Sequence, residues 1–93
     1  MKQIVHVGSP IPEDEIREEL GRAEAKFPLW PVDAIHGAAI VAEEAGEVVK
    51  AALHFSYDSG HIDDLRSELI QTAAMAIRFL AFIEKHRVSI FEE

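Results

Sequence analysis

The segment from Leu69 to Ile83, LIQTAAMAIRFLAFI, decides the fold class of this 93-residue chain. Its apolar residues occupy nearly the whole circumference of a helix, and a helix of that kind is buried on every side. The segment is too short, and with Gln71, Thr72 and Arg78 too polar, to span a bilayer. The other helices of so small a chain can hardly cover it. We therefore expect a homodimer or homotetramer in which two helices of each chain form a four-helix bundle.

Proline, glycine and capping residues divide the rest of the chain into two more helices. In chain order, the predicted helices span residues 12–26, 33–56 and 62–87. Asp33 is the expected N-cap of the second helix. Residues 3–7 are compatible with a short extended segment, and residues 88–93 with a short tail or a further helical turn. The sequence thus predicts one all-α domain over residues 1–93, in which the last two helices form a helical hairpin.

The composition excludes several classes of protein. Lys and Arg number 9 against 17 Asp and Glu, so the net charge is −8, and an acidic surface repels nucleic-acid backbones. Cysteine is absent, which excludes disulfides, thiolate metal sites and cysteine nucleophiles. The chain is 48% hydrophobic, too apolar for disorder, and its N-terminal stretch lacks the pattern of a signal peptide. We expect a cytoplasmic protein that binds neither nucleic acid nor membrane.

Each of the two long helices places polar oxygen-bearing side chains beside apolar ones. In chain order these residues are Glu43, Glu44, Glu47, Asp64, Glu68 and Gln71. Their helical spacings put each set near one face of its helix. Burying unpaired charges is costly, so such groups bind cations or take up protons, and convergent carboxylates suit Mg²⁺. By spacing alone, a solvated acidic face explains the pattern equally well.

The order of these residues resembles a known motif. Glu-Glu-x-x-Glu at 43–47, followed by Glu-x-x-Gln at 68–71, is similar to the motif of the MazG-like all-α NTP pyrophosphohydrolase family, which ends in Glu-x-x-Asp. The likeness to a phage and bacterial subgroup of that family extends over residues 27–80. Gln71 replaces the last acid with a neutral oxygen donor. Asp64, one turn before Glu68, either substitutes for it in part or is a surface residue.

The resemblance implies a Mg²⁺-dependent hydrolase acting on phosphoric anhydrides, with Mn²⁺ as a possible substitute. Its substrate would be an NTP or dNTP, cleaved to the monophosphate and pyrophosphate. The implied metal ligands are Glu44, Glu47, Glu68 and Gln71, and Glu43 is the catalytic base or a further ligand. A triphosphate with about four negative charges approaches such an acidic chain only through divalent cations.

Lys50, Arg78 and Trp30 are the candidate substrate-binding residues. Lys50, three residues after the last glutamate of helix two, meets a phosphate or is solvated. Arg78, among apolar residues, contacts a phosphate or pairs with a glutamate. Trp30, between two prolines, stacks on a base or packs over a helix end. His36 and His54 lie on the glutamate side of helix two, where lone histidines are usually structural or solvated.

Two other functions remain open at this stage. One is a catalytically weak nucleotide- or metal-binding helical module, because Gln71 removes a charge from the implied metal site. The other is an oligomeric interaction protein whose acidic residues are solvated. The enzyme hypothesis requires Glu44, Glu47 and Glu68 to lie within reach of one cation.

Overall fold

The computed structural model describes residues 3–5, 8 and 10–91. Within these residues the fold is all-helical, as the sequence predicted, and contains no strand. The helices are α1 (Glu13–Lys26), α2 (Ala34–Tyr57) and α3 (Ile62–Phe91). Their ends differ from the predicted ones by one residue at most, except at the end of α3. None of the helices described is long and apolar enough to cross a membrane.

The ends of α2 follow from local hydrogen bonding. Asp33 is the N-cap, as predicted: its side chain accepts a hydrogen bond of 3.3 Å from the backbone N–H of Ile35. At the other end, the backbone N–H groups of Asp58 and Gly60 both donate to the carbonyl of His54, at 2.9 and 3.0 Å. Ser59, with φ of 61°, completes a short turn. The turn directs α3 back along α2 as an antiparallel hairpin.

The C-terminal end of α3 and the N-terminal residues are the parts of the chain for which the predicted secondary structure was least definite. α3 continues to Phe91, but the backbone of His86 departs from helical geometry, with φ −121° and ψ 25°. The predicted end of helix three therefore falls beside a kink, and the chain continues into a further helical turn. Residues 92 and 93 lie outside the described residues, as do residues 6 and 7 of the predicted extended segment. Residues 3–5 have no regular secondary structure.

The helix α3 lies between the other two. It packs against α2 and against α1, whereas no Cα atom of α1 comes within 8 Å of one of α2 in the described structure. Gly37 of α2 lies directly against the ring of Phe79, since a Cβ atom at this glycine would be 2.8 Å from the ring. This close approach anchors one end of the hairpin, and the turn at His54 and Gly60 closes the other.

Arginines of α3 hold the first helical segment. Arg66 forms two hydrogen bonds, of 2.5 and 2.6 Å, with the carboxylate of Glu15, and Arg78 donates to the carbonyl of Phe27. Each pair joins residues that are 51 apart in the sequence. The first helical segment therefore runs parallel to α3 with a constant offset of 51 residues. This register decides which residues of α1 lie beside the hairpin.

Three helices leave much apolar surface uncovered, as the sequence predicted. Leu69 and Leu80 of α3 are 49% and 58% exposed, and Ile35 and Val49 of α2 are 79% and 58% exposed. The chain exposes 7497 Å² in total. A compact monomer of this mass would expose about 5400 Å².

Candidate functional site

The glutamates of α2 and α3 converge on Glu44. This residue is partly buried, and its burial raises the pKa of its carboxyl group above the ordinary range. The negative charges of Glu68, Glu43, Glu47 and Glu19 raise it further, in that order. The structure thus brings three predicted metal ligands, from two helices, within electrostatic reach of one another. Glu43 itself is exposed beside them.

Glu19 of α1 is a member of this group that the sequence did not indicate. Its side chain is only 20% exposed, and it pairs with Arg22 at 2.9 Å. Glu19 follows Glu15 by one helical turn, so the contact between Glu15 and Arg66 places it beside the part of α3 near Ile70. The position of Glu19 therefore depends on a contact between residues that are 51 apart, and no local sequence pattern reveals such a contact.

A cleft of about 310 Å³ opens beside these carboxylates, at the end of the hairpin near the α2–α3 turn. Both acidic and basic side chains line it. They are Glu47, Asp64, Glu68, Lys50, His54 and His61. Lys50 and Asp64 therefore lie at the same cleft as two of the predicted metal ligands. His61, which the sequence did not single out, belongs to this cleft because the turn after α2 places it there.

Gln71 is half-buried and hydrogen-bonded within its own helix. Its Nε2 atom donates to the hydroxyl of Ser67 at 3.3 Å. Gln71 is not among the residues that line the cleft. Its assignment as a metal ligand stays a prediction.

The side chains fit a hard divalent cation in chemical type, because carboxylate oxygens are the donors that Mg²⁺ prefers. Burial and then repulsion by neighbouring carboxylates raise the pKa of Glu44, and a cation would relieve the repulsion. In the described residues, however, no three Asp, Glu or His side chains are already gathered closely enough to hold a metal ion. Coordination by Glu44, Glu47 and Glu68 would therefore require their side chains to rotate toward a common point.

Arg78 and Trp30 lie at the other end of the hairpin. Arg78 follows Glu68 by ten residues, about 15 Å along the helix axis. It is 7% exposed, and its guanidinium group lies 3.8 Å from Glu24 and 5.2 Å from the ring centre of Trp30. These are the structural partners that the sequence left open as an alternative to phosphate. The assignment of Arg78 to substrate binding stays a prediction.

Trp30 stacks on Phe79, with 5.8 Å between ring centroids. It borders a second cleft, of about 340 Å³, which shares no lining residue with the first. Its Nε1 atom is buried and has no hydrogen-bond partner among the described residues. Trp30 thus packs against the hairpin, as one of the two sequence interpretations required, and base stacking by its ring stays a prediction.

Comparisons with protein-family models, curated proteins and solved structures find no match for this chain. The family resemblance therefore rests on the residues quoted for it, and it stays a prediction. The geometry of the carboxylates and of the cleft beside them is independent of that resemblance.

Proposed function

We propose that this protein is a Mg²⁺-dependent nucleoside triphosphate pyrophosphohydrolase of the MazG-like type. The observation that carries the proposal is that Glu47 and Glu68, from two helices, line one cleft together with Lys50, while the partly buried Glu44 lies within electrostatic reach of both glutamates. Mutually repelling carboxylates next to cationic groups suit a ligand that combines divalent cations with phosphates. In this proposal the three glutamates hold the cation and Lys50 contacts the phosphates.

The reaction needs a water molecule to attack the α-phosphorus and break the bond to the bridging oxygen between the α and β phosphates. Glu43 is exposed and adjacent to Glu44, so it is the group assigned to accept the proton of that water. The products are a nucleoside monophosphate and pyrophosphate. A cation bound to the glutamates would stabilise the negative charge on the phosphate oxygens.

The same proposal includes a homo-oligomer built on the uncovered faces of α2 and α3. Large apolar side chains on these faces are exposed to solvent in the single chain. A stable interface buries roughly 800 Å² on each partner. Ile35, Val49 and Leu53 of α2, with Leu69 and Leu80 of α3, offer a second copy the apolar surface that a four-helix bundle needs. Sedimentation at micromolar concentration should give a dimer or tetramer, and a folded monomer would contradict this part.

An assay of pyrophosphate release from the common NTPs and dNTPs, with and without Mg²⁺, tests the activity. Glu47→Gln and Glu68→Gln should each abolish most of the turnover and most of the increase in melting temperature that Mg²⁺ produces. Glu18→Gln removes the same charge from an exposed position of α1 and serves as the control. Hydrolysis at the wild-type rate in both site variants would contradict the proposal.

A second candidate is a nucleotide- or metal-binding module without useful turnover. The hydrogen bond between Gln71 and Ser67 favours it, because the amide that replaces the acid of the family motif is engaged within its own helix. In that case Mg²⁺ and a triphosphate bind but no pyrophosphate appears. Gln71→Asp should then tighten Mg²⁺ binding, since a charged oxygen is the better donor. Identical Mg²⁺ affinities in the two proteins would exclude Gln71 from the site.

A further inference from the structure

The cleft at the α2–α3 turn is not uniformly acidic. Its basic side chains, Lys50, His54 and His61, come from two successive elements, the C-terminal half of α2 and the residue that precedes α3. In a chain with a net charge of −8, three basic groups in one cleft of about 310 Å³ are a local exception. Such groups can donate several hydrogen bonds to one anion.

The hydrogen bonding of His61 determines which ring nitrogen is available. Its Nδ1 atom accepts a hydrogen bond of 3.0 Å from the backbone N–H of Asp63. The carboxylate of Asp63 lies 3.4 Å from the same nitrogen, and as an ionised group it has no hydrogen to donate to it. Because Nδ1 acts as the acceptor, the hydrogen of the neutral ring is on Nε2. The Nε2–H group of His61 is therefore available to donate a hydrogen bond to a ligand in the cleft.

His54 is held in place by the turn that follows α2. A Cβ atom at Gly60 would lie 2.5 Å from Nδ1 of His54 and 3.0 Å from its carbonyl carbon. The backbone N–H of Gly60 donates to the carbonyl of the same histidine at 3.0 Å. A larger residue at position 60 would collide with His54, so the turn brings the chain close to this histidine at the cleft.

We propose that Lys50, His54 and His61 bind the terminal phosphates of the substrate, so that its polyphosphate end lies at the α2–α3 turn. The glutamates farther from the turn, Glu47 on α2 and Glu68 on α3, then face the phosphate that is attacked, and pyrophosphate leaves from the histidine end. The direction in which pyrophosphate leaves rests on the proposed function. The binding itself requires only that the cleft takes polyphosphate anions complexed with divalent cations, and this can be tested without turnover.

Calorimetric titration with inorganic pyrophosphate and with tripolyphosphate, both in excess Mg²⁺, tests the assignment. His54→Ala should weaken both affinities about tenfold, the effect of removing one hydrogen bond to a charged group. His61→Ala removes the outer N–H donor, and it should weaken them to a similar extent. His36→Ala, an exposed position at the opposite end of α2, is the matched control and should leave both affinities unchanged.

The outcomes separate this inference from the proposed function. Wild-type affinity for pyrophosphate in both cleft variants would overturn the inference, even if the enzyme hydrolyses triphosphates. A wild-type protein with no affinity for either polyphosphate would overturn it as well. Polyphosphate binding that depends on His54 and His61, in a protein that releases no pyrophosphate from any NTP, would support the inference and contradict the proposed enzyme activity. Circular dichroism of each variant, with His54→Gln as the milder substitution, establishes that the fold is intact.

Discussion

The charged residues in the two halves of the α2–α3 hairpin have different kinds of partners. At the Trp30 end, Phe79 packs on Gly37, and Arg78 has a carbonyl, a carboxylate and an aromatic ring as partners. Closer to the turn, Glu44 is partly buried, and both this burial and the neighbouring acidic side chains raise its pKa. The difference indicates that one end supplies stability, whereas the other keeps charges that a ligand can use. Substitutions at the two ends should therefore affect stability and binding differently.

The largest loss of stability is expected from Arg78→Ala. The substitution removes a charged hydrogen bond to the carbonyl of Phe27 and the packing against Trp30, a cost of about 2–3 kcal/mol. Urea denaturation measures the change in the free energy of unfolding. Arg22→Ala is the control, because Arg22 is exposed and water screens its ion pair with Glu19 one turn before it, and it should change stability little. Equal losses in the two variants would show that Arg78 is not a structural anchor.

Gly37→Ala should have the next largest effect. Its new methyl group would lie 2.8 Å from the ring of Phe79, and overpacking of this kind costs about 1–3 kcal/mol. The free energy of unfolding again measures it. A Gly37→Ala variant as stable as the wild type would contradict the close approach of α2 and α3.

Gly46→Ala is the matched control for that substitution, and it also tests assembly. Apart from its own helical turn, no atom of the described residues lies within 4 Å of a Cβ at this position, so alanine should stabilise the helix by about 0.5–1 kcal/mol. Gly46 is on the exposed side of α2. A loss of stability together with dissociation in sedimentation would mean that a second copy packs against this glycine.

The sequence predicted the features that depend on nearby residues. Asp33 marked the start of α2, and Glu44, which the spacing singled out, is partly buried within electrostatic reach of Glu68 on the next helix. It could not predict Glu19 at the site, because the register of α1 depends on a contact between Glu15 and Arg66 across 51 residues. His61 was missed for a related reason, since its place at the cleft follows from the geometry of the turn.

Glu44→Gln tests whether the clustered carboxylates destabilise the metal-free protein. Because burial and neighbouring charges raise the pKa of Glu44 in the folded state, its ionised form destabilises the metal-free protein at neutral pH. The variant should therefore be more stable in chelator at pH 7, by less than about 1 kcal/mol since the site is partly solvated. The gain should fade as the pH falls below the ordinary pKa of glutamate, where both states are protonated. A gain that is independent of pH would exclude repulsion as the cause.

The smallest effect is expected from Arg66→Ala. The ion pair of Arg66 with Glu15 is exposed, so water and salt screen it, and the melting temperature should fall only slightly and less at high salt. The hydrogen bond from Arg66 lowers the pKa of Glu15, so the pair stabilises the fold above the ordinary glutamate pKa and ceases to do so as the pH falls through the lowered value. A large, salt-independent fall in melting temperature would show that the packing of α1 stabilises the protein more than its contacts indicate.

The spacing of the arginine contacts also has a consequence for the order of folding. The hairpin closes through a four-residue connection between α2 and α3, whereas α1 docks through pairs that are 51 residues apart. Closing a short loop loses less chain entropy than closing a long one, so the hairpin can form first. Because α1 contacts α3 and not α2, it can also detach without separating the hairpin. Backbone amides of α1 should therefore exchange with solvent through a local opening, at a lower free energy than those at the centre of α3.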